Sequence, residues 1–177
     1  MYGDLLKELL QAKIKRKIFV SYRHDGDQTY YNEFSEKFAD DYESVTDNSL
    51  DKEIDSDDVD YVMRCIRENY ITGTSCTIVL VGNDTWGRKY IDWEIKATLD
   101  KQHGLIGVQL PTLTADADGN VRVPERLNDN IKSGYAIWIT WEQLTASVKA
   151  CTDLIEQANS RDKNLIKNDR DRRLRNA

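Results

Sequence analysis

Short apolar runs alternate with helix-spaced apolar stripes along this chain, and the alternation predicts its elements. The run at residues 76–81 (CTIVLV) has no polar alternation, which indicates a strand buried on both faces of a parallel sheet. The predicted strands are residues 17–22, 42–46, 76–81, 105–110 and 135–140, and the predicted helices are residues 30–38, a stretch between Ser56 as N-cap and Gly73, residues 90–102 and residues 141–159.

Strands that alternate with helices form βαβ units. We therefore expect an α/β fold: a flavodoxin-like, doubly wound, five-stranded and mainly parallel sheet with helices on both faces. Residues 1–16 predict an amphipathic helix, residues 17–159 one domain and residues 160–177 a basic tail. Residues 112–114 and 121–123 predict a hairpin around the turn at residues 116–120. That turn resembles the opening of a calcium loop, but Val121 and Leu127 stand where such a loop needs glycine and glutamate.

The charge is unevenly distributed. The 177-residue chain has a net charge of −6, but residues 161–175 hold seven basic and three acidic side chains. That tail is +4, so the rest of the chain is −10. An acidic body disfavours nucleic acid as a partner. We expect the tail to be a solvated helix end or a frayed terminus.

Several classes of protein are disfavoured by what the chain lacks. Its longest apolar runs are too short to span a bilayer, and its N-terminus does not resemble a signal peptide. Three widely spaced cysteines argue for a reducing cytoplasm, and two histidines make a metal site or a Ser-His-Asp triad improbable. No glycine-rich phosphate loop follows a predicted strand, and the acid and lysine pattern of a receiver domain is absent.

Glu94 is the candidate functional residue that the helical spacing of the sequence indicates. It lies in the first turns of the helix that follows the third strand, close to where open α/β sheets bind ligands. It borders the buried stripe of its helix, with Tyr90 one turn earlier on the same edge, while Trp93 projects away from the stripe. Spacing alone leaves two interpretations open, a crevice residue and an ordinary boundary glutamate.

Four segments carry a resemblance to a known family: residues 18–23 (IFVSYR), 77–83 (TIVLVGN), 86–95 (WGRKYIDWEI) and 105–109 (LIGVQ). In this order the chain resembles a Toll/interleukin-1 receptor (TIR) domain over about residues 17–155. It is most similar to the bacterial branch that includes the TIR proteins of Thoeris anti-phage defence. Such domains usually carry W-x-x-x-E-[LI] on this helix; here Tyr90 replaces the tryptophan, and Glu94 and Ile95 keep the rest.

The resemblance implies that Glu94 cleaves the nicotinamide–ribose bond of NAD+, which is a substrate and not a cofactor. One carboxylate is chemically sufficient because nicotinamide leaves as a neutral molecule and needs no general acid, unlike the leaving group of a glycosidase. Water would give ADP-ribose, and an internal nucleophile a cyclic isomer. The resemblance also implies self-association through TIR–TIR contacts and a nucleotide signal to a downstream effector.

Other residues are candidates for the same site. An aromatic ring at Tyr22 would stack on nicotinamide or adenine, or simply pack at the strand end, and Arg23 would meet the pyrophosphate. His24 would line the pocket or face solvent. Trp93 suggests a partner surface, and packing under a neighbouring helix is the alternative. The remaining candidates are Asn83, Trp86 and Tyr90 for substrate binding, with residues 47–58 as an acidic lid.

Two further functions remain open from the sequence. One is a non-catalytic TIR adaptor that works by self-association. The other is a nucleoside deoxyribosyltransferase-like enzyme, which also acts at an N-glycosidic bond; the lack of a second obvious pocket carboxylate argues against it.

Overall fold

Five parallel strands form one sheet in the order β2-β1-β3-β4-β5. The computed structural model describes residues 2–10, 15–46 and 57–177. The central strand is buried along its whole length, as its unbroken apolar sequence predicts. The predicted doubly wound α/β fold is thus confirmed. The strands are β1 Arg16–Ser21, β2 Tyr42–Val45, β3 Cys76–Val81, β4 Gly104–Gln109 and β5 Ile137–Thr140.

Helices cover both faces of the sheet. On one face α2, α6 and α7 bury the side chains of Ile18, Val20, Ile78 and Leu80. On the other face α3, α4 and α5 pack over a second set that includes Phe19 and Val79. The helices are α1 Tyr2–Leu10, α2 His24–Lys37, α3 Val59–Cys65 with a π-helical turn at Ile66–Ile71, α4 Lys89–Asp100, α5 Glu125–Ser133, α6 Trp141–Thr145 and α7 Val148–Asn159.

The strand order reverses between β1 and β3, and this places the expected ligand crevice. The connection from β1 crosses one face of the sheet, and the connection from β3 crosses the other. Ser21 pairs with Val79 next to the carboxyl ends of these two strands. Side chains that follow β1 and β3 therefore meet at this edge.

The second helix begins six residues earlier than its apolar stripe predicts. His24, expected in a loop, is its first residue, and Arg23 is its N-cap with an extended backbone. Asp25 and Asp27 lie in the first turn, where carboxylates stabilise the positive end of the helix dipole. These polar residues, together with Gly26, hide the helix start from an analysis based on apolar periodicity.

The start of α3 also differs from the prediction. Asp58 is the N-cap, and its carboxylate accepts hydrogen bonds from the backbone N–H groups of Asp60 and Tyr61. The predicted cap Ser56 and most of the predicted lid, residues 47–56, lie outside the described residues.

Two more predicted elements are corrected. The single helix expected over residues 141–159 is two helices, because the side chain of Ser147 accepts from Ala150 N and starts a new one. The hairpin between β4 and β5 has no strands; only its turn forms, with Asp116 N–H donating to the carbonyl of Asn120 and Gly119 at a φ of 83°. Three further hydrogen bonds stabilise the turn without strand pairing. The N–H groups of Asp118 and Asn120 donate to the Asp116 carboxylate, and the N–H of Gly119 donates to the Asp116 carbonyl.

The basic tail is not frayed. Residues 166–177, here called the C-terminal strap, fold back across α4 and α5. Its arginines pair with body carboxylates: Arg170 with Asp129, and Arg173 with Glu125. Opposite charge thus draws the +4 tail onto the acidic body. Within the described ranges, no helix has the length and apolar character to cross a bilayer.

Candidate functional site

Glu94 lies at the carboxyl end of β1, on the face that α4 covers. Side chains alternate along a strand, so Ser21 faces the same side of the sheet as Phe19, toward α4. The Ser21 hydroxyl donates a hydrogen bond to Oε2 of Glu94, and the side chain of Glu94 is almost fully covered, at 2% exposure. This contact joins β1 to the helix after β3.

The backbone around Glu94 is fixed by two threonines. Thr98, one turn later on α4, donates its hydroxyl to the carbonyl of Glu94 at 2.9 Å. The same hydroxyl lies 2.7 Å from that of Thr77 on β3. This buried chain of hydroxyls holds α4 in a set position above the sheet, and the carboxylate of Glu94 with it.

The start of α4 is capped by the C-terminal strap. Arg88, the N-cap residue, makes no capping bond with its own side chain. Instead, Asn176 Oδ1 accepts from Lys89 N–H at 3.0 Å, and the N–H of Ala177 donates to the carbonyl of Gly87 at 3.0 Å. Residues almost ninety positions away therefore satisfy the backbone that leads into the Glu94 helix.

Tyr22 turns to the opposite face and packs in the core. Its ring stacks on Tyr31 with centroids 4.8 Å apart, lies 4.3 Å from the ring of His24, and is 2% exposed. Its hydroxyl donates to Gln28 at 2.9 Å. Of the two roles that the sequence left open for Tyr22, the structure favours packing at the strand end, because strand alternation sends the ring away from Glu94. His24 lies beside it at the start of α2.

Arg23 joins the two loops that leave β1 and β3. Its guanidinium lies 2.7 Å from the carboxylate of Asp84. Nearby, Asp27 is a buried carboxyl group that the sequence interpretation missed. Burial raises the pKa of Asp27, although a hydrogen bond from Thr85 and the charge of Arg23 oppose the rise. A second buried carboxyl group, besides Glu94, thus lies at this edge of the sheet, on the α2 face.

Asn83 and Trp86 occupy the loop between β3 and α4. Asn83 Oδ1 accepts from the backbone N–H of Thr114 at 2.8 Å, which ties the loop after β4 to the loop after β3. The indole of Trp86 has the guanidinium of Arg122 at 3.8 Å and that of Arg173 at 5.2 Å from its ring centroid. Trp86 therefore packs next to the strap, and its ring makes cation–π contacts with these two guanidinium groups.

Trp93 does not form an exposed partner surface, which corrects the interface prediction. The strap covers it to 4% exposure, and its indole N–H donates to the carbonyl of Arg173 at 2.7 Å. Tyr90 packs edge-to-face against it at 5.3 Å and is half-buried. Lys89 lies over both rings. Tyr90 therefore supports the α3–α4 core beside the Glu94 helix.

Under the strap lies a buried ion pair that the sequence did not reveal. Arg126 of α5 is fully buried and donates to both carboxylate oxygens of Asp92, at 2.8 and 3.3 Å. Its other donors reach Asn168 and the carbonyl of Asp171 on the strap. Asp92 also accepts from the backbone N–H of Arg173 at 2.9 Å. The pair therefore joins α4, α5 and the strap.

The structure brings some of the predicted residues together and separates others. Glu94 and Arg23 lie at the β1–β3 edge, and Tyr22 lies in the core. The two predicted tryptophans, Trp86 and Trp93, lie under the strap. The sequence interpretation missed Ser21. Strand alternation could have found it, because Ser21 lies two residues after Phe19 and therefore on the same face of β1. Across residues 2–10, 15–46 and 57–177 there is no cluster of three or more potential metal ligands.

A doubly wound α/β domain with an acid at its strand-switch edge is the class that this geometry defines. A family model described as Thoeris protein ThsB, TIR-like domain, matches residues 19–115, more than half of the chain. The chain belongs to this TIR-like family of Thoeris anti-phage defence. No curated protein matches it.

Proposed function

We propose that this domain cleaves the nicotinamide–ribose bond of NAD+ and that Glu94 is the catalytic residue. The observation that carries the proposal is the position of Glu94 at the switch edge, held there by Ser21. The family assignment supports it, since the resemblance to catalytic TIR domains implies that Glu94 corresponds to their catalytic glutamate.

The chemistry needs little besides one carboxylate. The bond from ribose C1′ to the ring nitrogen breaks, and its electron pair leaves with neutral nicotinamide. A negative carboxylate stabilises the positive charge that develops on the ribose. Water then forms the new bond at C1′ and releases one proton, which gives ADP-ribose; an internal nucleophile in place of water gives a cyclic isomer. We propose that the product acts in the cytoplasm as a signal to a downstream effector in phage defence.

The burial of Glu94 determines how a substrate could reach its carboxylate. At 2% exposure the carboxylate cannot meet a dinucleotide without a movement of the surrounding loops. We therefore expect low turnover by the isolated domain and faster turnover after a trigger, with self-association through TIR–TIR contacts as the accompanying change.

Substitution of Glu94 tests the catalytic assignment. Glu94→Gln keeps the shape and an oxygen that accepts from Ser21, so the variant should fold. Loss of the charge should lower NAD+ turnover by about 100-fold or more. Glu142→Gln, an exposed glutamate on α6, is the matched control and should retain turnover.

Chromatography of nicotinamide and ADP-ribose isomers, with and without extract of phage-infected cells, gives the readout. Full turnover by Glu94→Gln would refute the assignment. If wild-type protein consumes no NAD+ under either condition, the enzyme proposal fails.

The second candidate is a TIR adaptor without catalysis, which the burial of Glu94 favours. It predicts self-association, measured by light scattering, that is unchanged in Glu94→Gln and occurs without NAD+ loss. The deoxyribosyltransferase-like alternative is not proposed, because the chain belongs to the TIR-like family.

A further inference from the structure

Asp27 is a buried carboxyl group for which the proposed chemistry has no use. It lies in the first turn of α2 and is 5% exposed. Its carboxyl group packs directly on the backbone of Gly82, just beyond β3: a Cβ at Gly82 would lie only 2.7 Å from Oδ1 and 2.9 Å from Oδ2. The carboxyl group therefore fills the space that glycine leaves at this residue.

Thr85 connects this carboxyl group to the loop before α4. The hydroxyl of Thr85 accepts from the backbone N–H of Gly82 at 2.8 Å. Its own proton has two acceptors, Asp27 Oδ2 at 3.5 Å and the carbonyl of Leu80 at 3.4 Å. Thr85 is fully buried, so water does not compete for these bonds. A single hydroxyl thus links α2, the end of β3 and the loop of residues 82–88.

This network accommodates either protonation state of Asp27. The ionised carboxylate accepts the Thr85 proton. The neutral acid donates to Thr85 Oγ1, whose proton then turns to Leu80; the hydroxyl accepts two bonds and donates one, which is its full capacity. The charged groups that bear on Asp27 are Arg23, at the start of α2, and Asp84, in the loop after β3. Burial raises the pKa of Asp27, which brings the neutral acid closer to physiological pH.

The same two segments have a second connection, but an exposed one. Arg23 and Asp84 form an ion pair in which the aspartate side chain is 66% exposed. Exposed pairs contribute little, because water and salt screen them. The link through Thr85 is buried, so water and salt do not screen it in this way.

We propose that Asp27 is a positioning residue which, through Thr85, fastens the loop of residues 82–88 to α2 and so sets the start of the Glu94 helix. It acts from the α2 face of the sheet, whereas Glu94 lies on the α4 face, so Asp27 does not contact the reacting atoms. The effect on turnover rests on the proposed function; the effect on the loop does not.

Amide hydrogen exchange of residues 82–88 tests the loop contact without any substrate. Asp27→Ala removes one buried hydrogen bond and should speed exchange by roughly fivefold. Thr85→Val also removes the acceptor of the Gly82 N–H, so it should speed exchange at least as much. The double variant should exchange no faster than Thr85→Val alone, because Asp27 acts on the loop through the Thr85 hydroxyl, which Thr85→Val has already removed. Asp27→Asn imitates the neutral acid and should keep the wild-type rate. Asp25→Ala, an exposed acid in the same helical turn, is the matched control and should also keep it.

Turnover of NAD+ completes the test. Asp27→Ala should lower kcat more than it changes KM, and Asp27→Asn should restore kcat. The proposal is overturned if Asp27→Ala exchanges like Asp25→Ala, if the two single effects add, or if the loop loosens while kcat is unchanged. An inactive wild type would refute the proposed function alone, and the exchange result would still decide whether Asp27 fastens the loop.

Discussion

Removal of the buried Arg126 should be one of the most destabilising single changes in this protein. Arg126→Met keeps an apolar stem of similar length and removes the charge. The carboxylate of Asp92, itself 8% exposed, would then keep only the bond from Arg173 N–H among those described above. The acceptors on Asn168 and Asp171 would each lose their donor from Arg126.

The expected cost follows from this geometry. A buried charge left without its partner costs about 3–5 kcal/mol. For a domain of this size, a loss of about 3 kcal/mol lowers Tm by roughly 6–12 °C. The matched control is Arg170→Met, whose pair with Asp129 has similar distances of 2.9 and 3.0 Å but side chains that are 47% and 32% exposed. That change should cost about 0–1 kcal/mol, because exposed pairs are screened.

Urea unfolding followed by tryptophan fluorescence measures both costs. Trp86 and Trp93 lie under the strap, so they also report its release. Hydrogen exchange of the strap should accelerate in Arg126→Met, most clearly at the N–H of Arg173, which donates to Asp92. A double variant, Arg126→Met with Asp92→Leu, should regain part of the loss, because no charge remains buried.

Two results would refute the reasoning. One is a stability of Arg126→Met within about 1 kcal/mol of wild type, as expected for the exposed control. The other is a double variant less stable than the sum of its single changes. Either would mean that the buried pair does not hold α4, α5 and the strap together.

Three further predictions concern titratable groups. Because burial raises the pKa of Asp27 above 3.8, the folded state holds its proton more tightly than the unfolded chain; the stability of Asp27→Asn relative to wild type should therefore grow as pH rises from 3.8 toward neutral, and a constant difference in urea unfolding would contradict this. Burial, with Lys101 and Lys163 nearby, lowers the pKa of His103 below 6.5; the stability of wild type relative to His103→Gln should fall as pH drops below 6.5, as thermal melts at several pH values will measure. A thiol reagent should modify Cys65 in the folded protein but Cys76 and Cys151 only after unfolding, since both are buried and burial raises the pKa of Cys151 to about 12; rapid loss of all three thiols would count against it.

Part of the contact between Glu94 and Ser21 follows from sequence patterns alone. A helical projection places Glu94 at the core border, and strand alternation places Ser21 on the Phe19 face of β1. The contact between the two needs the crossover from β3 to pass over that same face. Alternation also sends Tyr22 to the other face, but only the positions of α2 and α4 show that this direction is away from Glu94.

The sequence by itself determined the five strands and the parallel sheet, and it located the helices approximately. Runs such as residues 76–81 are typical of strands buried on both faces of a parallel sheet, and the helical stripes supply the covering layers. These patterns are local, because secondary-structure propensity and apolar periodicity depend on residues that are close together in the sequence.

Only the tertiary structure decided what covers the outer side of the Glu94 helix. Periodicity shows that Trp93 leaves the apolar stripe of α4, but not that Arg173, 80 positions later, closes over it. The charge run of the tail is typical of a solvated segment, and it becomes a strap because Asp92, Glu125 and Asp129 lie on one surface of the folded domain. Long-range charge pairing of this kind depends on which surfaces the fold brings together, and a one-dimensional pattern does not contain that information.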